Sequence, residues 1–219
     1  MLEKIYAILE IPWIYSLANQ FLAPGHQKLM GAMHREVFED SRGWVLDVGC
    51  GPKLITPMPD GRVVGIDINP FYVKQYAGSI DQDAGDIMCI TTQRRMFGVV
   101  GSCTRMPFED GFFDESRCLG VLHHLPDDEV SATIKEMWRC TKSGGRVILD
   151  EPVWPRNSFL RPAAWLLQLL DRGKWVRKEQ EWLELCTRSV DVSWNLRRYT
   201  CAYFGQEEII IVGVKNNEN

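Results

Sequence analysis

Residues 45–52 read Val-Leu-Asp-Val-Gly-Cys-Gly-Pro, an apolar run that stops in a turn carrying Gly49 and Gly51. Glycine has no Cβ and tolerates positive φ, so a strand that ends in such a turn can bring backbone close to a ligand. In open α/β sheets these turns sit at the carboxyl ends of strands, where ligands bind. A glycine pair alone also fits an ordinary tight turn, and its meaning depends on what surrounds it. The next run, Gly-Ile-Asp-Ile-Asn-Pro at 65–70, predicts a second strand ending at Asp67. A carboxylate at that place can accept hydrogen bonds from both hydroxyls of a ribose.

Further along, short β-branched runs alternate with polar or helical stretches across residues 43–151: WVLDV, RVVGID, GVVGS, RCLGVL and GRVILD. Strands buried on both faces look like this, and intervening helices imply parallel pairing. Before them, residues 1–42 are aromatic and helix-like, with Ile5, Leu9, Trp13, Leu17 and Phe21 near helical spacing. After them come a helix candidate from Phe159 to Leu170, a polar break at Asp171-Arg172-Gly173 and a second helix from about Lys178 to Cys186. Two closing strands, near Val190–Arg198 and Glu208–Val214, flank a hairpin turn at Gly205.

Composition narrows the class. A chain of 219 residues suits one domain, or one with a small cap. The net charge of -4, with no run of five or six like charges, disfavours a nucleic-acid partner. Seven scattered cysteines with no C-x-x-C pair argue against a disulfide framework or a cysteine zinc site, and for a reducing compartment. The opening residues lack the uninterrupted apolar core of a secretory signal, and no run reaches the ~18–20 apolar residues of a membrane span. The expectation is a cytoplasmic protein without a transmembrane segment; peripheral membrane contact and the oligomeric state stay open.

Asp67 suits either a nicotinamide dinucleotide or S-adenosylmethionine (SAM). The third glycine of a G-x-G-x-x-G turn falls on Leu54, and Pro52-Lys53 crowd the place where a helix N-terminus would hold pyrophosphate. That disfavours the dinucleotide. VLDVGCGP, GIDINP, RMPFEDGFFD, GVLHHLPDDE and TKSGGRVIL, in this order over residues 43–150, resemble the class I SAM-dependent methyltransferases, particularly the type-11 group of quinone-biosynthesis and small-molecule enzymes. The resemblance implies an α/β, Rossmann-like doubly wound sheet of seven strands in the order 3-2-1-4-5-7-6, the last antiparallel. It divides the chain into a helical cap, 1–42, and a SAM-binding domain, 43–219, with a cap insertion at about 152–187. It places Asp47, Gly49 and Gly51 beside the methionine end of SAM and Asp67 on the ribose, with Cys50, Leu119 and Gly120 completing the cofactor set.

Two positions depart from the family pattern. Lys53 stands where a third glycine is usual, and its side chain either turns to solvent or meets the methionine carboxylate. Ser102, followed by Cys103, stands where an acid usually meets the adenine amino group. Serine is a weaker acceptor, so adenine recognition would lean on backbone and on apolar contacts from Met106 and Ile68. The helix after the glycine turn looks short, because Pro57 and Pro59 arrive quickly. The 81–97 stretch looks longer than usual. Asn69-Pro70-Phe71-Tyr72 imitates a base-methylation motif, yet it follows the second strand rather than the fourth and reads better as a helix start.

For catalysis, displacement at a sulfonium needs mainly alignment and desolvation, with a base added when the acceptor is a hydroxyl or protonated amine. His123 and His124 end the fourth strand and are candidate bases, though a packing role fits either. Asp150 and Glu151 are the other candidates, and too few matching carboxylates surround them for a catechol-type metal site, so no metal is expected. Substrate binding is assigned to the aromatic segments, through Trp13, Trp154 and Trp165, and to the basic cluster of Arg172, Lys174, Arg177 and Lys178, whose members suit an anionic head. Mutual packing and a solvated face are the plainer readings of the same residues. The sum is a SAM-dependent methyltransferase for a small, partly apolar and amphiphilic or anionic acceptor, oxygen favoured over nitrogen or carbon. The rivals are a non-catalytic SAM-binding protein and a nicotinamide-dependent oxidoreductase.

Overall fold

The computed structural model describes residues 24–78, 95–156, 162, 164–165, 168, 173–203 and 205–216. Its centre is a seven-stranded sheet, β1 (Arg42–Val48), β2 (Asp60–Asp67), β3 (Met96–Val100), β4 (Phe113–Leu119), β5 (Thr141–Pro152), β6 (Trp194–Thr200) and β7 (Glu207–Val214). Spatial order is β3-β2-β1-β4-β5-β7-β6, with β7 antiparallel to both neighbours and the other described pairs parallel. The expected order and the reversed last strand are both present.

Helices cover both faces. On one lie α1 (His26–Phe38) and α2 (Pro70–Gly78); on the other lie α3 (Asp127–Cys140) and α4 (Glu179–Ser189). In α3, Val130, Ile134 and Met137 recur at helical spacing and are fully buried, while Asp127, Asp128 and Glu129 occupy the first turn, where the helix dipole favours them. Trp182, Leu185 and Cys186 of α4 join the same core as Leu46, Val48, Leu149 and Ile211. The opposite core gathers Phe38 of α1 with Leu119, Ile148 and Ile210.

Three sequence expectations shift. β4 begins at Phe113 and ends at Leu119, earlier than the apolar run RCLGVL, because Glu115, Ser116 and Arg117 are buried strand residues. Glu115 and Ser116 are satisfied internally: Glu115 accepts from Ser41 at 2.9 Å and from Arg146 at 2.7 Å, and Ser116 Oγ lies 2.7 Å from Thr141 Oγ1. Arg117 is held by charge alone, 3.9 Å from Asp47 and 3.8 Å from Glu115, with its guanidinium over the Phe38 ring. No helix at all separates β1 from β2, where a short one was expected; Pro52, Pro57 and Pro59 block helical continuation. β6 starts four residues later than read, at Trp194.

Asn69-Pro70 does start a helix: Phe71 N donates to Asn69 Oδ1 at 3.0 Å, and Pro70 takes the first position of α2. Of the expected cap, residues 1–23 lie outside the described residues, as do most of the helix expected at Phe159–Leu170, the Asp171-Arg172 break and the 79–94 stretch. The two helices described there pack on the sheet, α1 through Phe38 on one face and α4 through Trp182 on the other.

Candidate active site

The carboxyl ends of β1, β2 and β4 meet in one place. After β1 the chain turns through Gly49 (φ 67°) and Gly51 (φ 59°), and after β4 through Gly120 (φ 65°). Gly49 and Cys50 N–H donate to Ile66 O at 2.8 and 3.2 Å, which locks the turn onto β2. Each glycine is needed for its own reason. A Cβ on Gly49 would sit 2.5 Å from Val121 Cγ2, so Gly49 lets the two turns touch. Among the described residues, a Cβ on Gly51 or Gly120 would meet nothing within 4 Å. Those two positions border open space, with backbone bared toward it.

Asp67 faces the same space. Its Oδ2 accepts from Gly51 N at 3.1 Å and its Oδ1 from Asn69 N at 2.8 Å. Each carboxylate oxygen keeps a second lone pair, which suits two ribose hydroxyls. Beside it, Ile68 is 78% exposed and Val100, Asp67's partner across the β2–β3 ladder, is 53% exposed. Two apolar side chains left in water at a strand edge are what an adenine ring would cover.

The other expected cofactor residues are placed unequally. Asp47 is buried on the α1–α2 face, accepts from Tyr76 Oη at 2.7 Å, and lies 3.9 Å from Arg117 Nε. Burial raises its carboxyl above the usual range. Cys50 turns its thiol into the core over Gly65, so its backbone alone borders the turn. Lys53 is exposed. Ser102 is exposed, with its hydroxyl 2.9 Å from that of Thr104. Cys103 is half-buried, Met106 and Leu119 are buried.

Beyond Gly120 a 3-10 turn carries Leu122–His124. Glu151, fully buried at the end of β5, organises it. Its Oε1 accepts from Val121 N and Leu122 N at 3.0 and 2.7 Å, and its Oε2 from His123 N at 3.2 Å. The same Oε2 is 2.7 Å from His123 Nδ1. An acceptor already serving three backbone amides leaves Nδ1 to donate, which assigns Nε2 as the accepting nitrogen of that imidazole. His124 stacks on it with ring centroids 4.2 Å apart and is exposed.

Arg177 proves to be a brace for this turn. Its guanidinium donates to Asp127 at 2.7 and 2.9 Å, to Leu125 O at 2.8 Å, to Leu122 O at 3.3 Å and to Trp175 O at 3.0 Å, and stacks 4.8 Å from the Trp182 ring. A substrate anion would have to displace these partners. Trp154 is half-buried and donates to Val176 O at 3.0 Å, and Trp165 is exposed. Trp13 and Arg172 lie outside the described residues.

Asp150, one position before Glu151, points to the opposite face. His34 Nε2 lies 2.7 Å from its Oδ2, and Tyr199 Oη lies 3.1 and 3.0 Å from its two oxygens. Burial pushes the Asp150 carboxyl up to about 7. The sequence signal for Glu151 and Asp150 was only their adjacency at a strand end. The alternation of a β-strand sends one to each face, and only the packed structure shows which one serves the His123 turn.

Among known proteins, residues 46–149 match the family described as a methyltransferase domain. A demethylmenaquinone methyltransferase of Roseiflexus castenholzii is 33% identical over 131 residues, which is 58% of this chain and 50% of that protein. The chain thus spans about half the length of the curated relatives it matches first. YcgJ of Bacillus subtilis superposes with a TM-score of 0.62 at 19% identity, over 86% of this chain and 98% of that one. Phosphoethanolamine N-methyltransferase 2 of Haemonchus contortus, solved with SAM, gives 0.68 at 12% identity over 97% of this chain and 60% of that one. Strand order, bared glycine turns and the match over residues 46–149 converge on a domain similar to the type-11, SAM-dependent methyltransferases.

Proposed function

We propose that the protein methylates a small, partly apolar molecule at the expense of SAM, with oxygen the favoured acceptor atom and nitrogen or carbon open. The observation that carries this reading is the pair of glycines, Gly51 and Gly120, that bare backbone toward open space opposite Asp67. SAM supplies an electrophilic methyl group on a sulfonium. The chain's own part is to hold and align. Asp67 receives the ribose hydroxyls, Ile68 and Val100 flank the adenine, and the two glycine turns admit the methionine portion. The Glu151–His123 pair is the group that takes a proton from a hydroxyl acceptor, with the carboxylate orienting the imidazole through Nδ1. Lys53, exposed beside the turn, answers the methionine carboxylate.

Relatives named as demethylmenaquinone methyltransferases make a quinone of that kind the first acceptor to try. A dinucleotide is disfavoured further by the missing helix after β1, which removes the N-terminus that would cradle pyrophosphate. A non-catalytic SAM-binding protein is the second reading, favoured by the neutral Ser102, whose hydroxyl is already engaged by Thr104.

Calorimetry with SAM, S-adenosylhomocysteine and NAD, paired with a methyl-transfer screen of quinols, phenols and amines, tests both. Binding of the first two with turnover on at least one acceptor is expected. Binding without turnover would favour the second reading, and preference for NAD would overturn both. Asp67→Ala should weaken SAM by about 1.5–3 kcal/mol, the scale of hydrogen bonds to a charged group.

A further inference from the structure

Away from the cofactor turn, three chemically different side chains converge where the β6–β7 hairpin meets the start of α1. His26 opens α1, Cys201 follows β6 and Glu208 lies at the start of β7. An imidazole nitrogen, a thiol sulfur and a carboxylate oxygen from these residues all lie within 4.8 Å of one another. His26 Nε2 and Glu208 Oε1 are 3.4 Å apart. That is long for a charge-assisted hydrogen bond, which runs to about 2.7–2.9 Å. It is the separation of two ligands on a zinc-sized ion: bonds of about 2.0–2.1 Å set at the tetrahedral angle leave their ends about 3.4 Å apart.

The surroundings are built in the same sense. Tyr199 donates to Glu208 Oε2, the oxygen turned away from His26, and so fixes the carboxylate's orientation. Outer hydrogen bonds of this kind hold metal ligands in place. Cys201 is fully buried, its thiol 3.4 Å from Gln206 O, whereas His26 is half-buried and leaves a path for an ion to enter.

We propose that His26, Cys201 and Glu208 form a binding site for a zinc-class divalent transition ion, with a fourth position for water or an exogenous ligand. A thiolate with an imidazole selects such an ion over magnesium or calcium, which prefer all-oxygen shells. Binding breaks the Cys201 S–H bond and forms a sulfur–metal bond, the proton leaving to solvent. The ion would staple α1 to the β6–β7 hairpin. The proposal does not depend on the methyl-transfer reading. It was hidden in the sequence because His26 and Glu208 stand 182 positions apart.

The full chain, stripped with a chelator, is titrated with zinc against a chromophoric chelator, and separately loaded with cobalt(II). One zinc per chain is expected, with a thiolate-to-cobalt charge-transfer band that Cys201→Ser removes. Tyr199→Phe should weaken zinc by about 10–100-fold, and Cys201→Ser and His26→Ala by more. Cys103→Ser, at a half-buried thiol elsewhere, should leave zinc affinity unchanged. Circular dichroism confirms folding; His26→Ala, at a half-buried helix start, keeps the test open if Cys201→Ser does not fold. Absence of one-to-one binding, binding that survives His26→Ala, or loss with Cys103→Ser would overturn the assignment.

Discussion

Gly49 and Gly51 share a turn and a positive φ, yet the structure separates their costs. Alanine at either position carries about 1–2 kcal/mol of left-handed backbone strain. Gly49→Ala adds a collision with Val121, so its melting temperature should fall further than that of Gly51→Ala. Gly51→Ala, whose Cβ enters open space, should fold well and lose SAM affinity instead. Differential scanning calorimetry beside SAM titration checks the split; equal loss of stability in both variants would mean that the Val121 contact is unimportant. Glu151 offers a second division of labour. Glu151→Gln keeps the shape but turns its NH2 either toward Val121 N and Leu122 N or toward His123. Turnover should fall by about 10²–10⁴, the usual contribution of a positioned base, with the pH profile altered and SAM affinity nearly retained. Unchanged turnover in a folded variant would remove the pair from proton transfer.

The helices and strands carry a different kind of consequence, because α1 is tied to β5 by a buried polar contact. Asp150 faces His34 from α1, Tyr199 from β6 and Glu208 from β7, with the positive influence of His26 beyond. Its carboxyl is raised from 3.8 to about 7 in the folded protein. The folded state therefore holds a proton that the unfolded chain releases, and the resulting stability is complete below about pH 4 and lost as pH rises through 7. Asp150→Asn should flatten urea-measured stability across that window, in chelator-treated protein. A slope identical to the parent's would assign the pH dependence elsewhere. This tie was not legible in the sequence, since His34 and Asp150 are 116 positions apart. What was legible was periodic or local: apolar runs for β1, β2 and β5, the glycine turn, Asp67 at a strand end, the Asn69-Pro70 start of α2. β4 was misplaced because Glu115, Ser116 and Arg117 look like solvent residues, and only Arg146 and Thr141 of β5 and the Asp47 charge of β1 make them core. Arg177 misled in the opposite direction: a cation in a basic cluster turned inward, where carbonyls and Asp127 receive it.

Across the whole molecule, the sheet sets strands that are not consecutive in the chain side by side at two points, β1 against β4 and β5 against β7. β7 follows β6 in sequence but lies between β5 and β6, joined to β5 over Arg146–Pro152 and to β6 over Trp194–Thr200. A ribosome therefore delivers β6 before anything exists for it to pair with. Until residues 207–214 emerge, β5 exposes one unpaired edge and β6 two, and open edges of this kind invite pairing with other chains. Everything from β1 to β5 can assemble earlier, so synthesis should leave the cofactor half structured while the other half waits. Ribosome-bound chains halted with residue 205 just outside the exit tunnel should resist proteolysis across β1–β5 and be cut readily between 190 and 205. Chains halted ten or more residues later should resist between 190 and 205 as well. The same geometry makes the closing strand a natural place for a chaperone to act, since covering one edge there protects two.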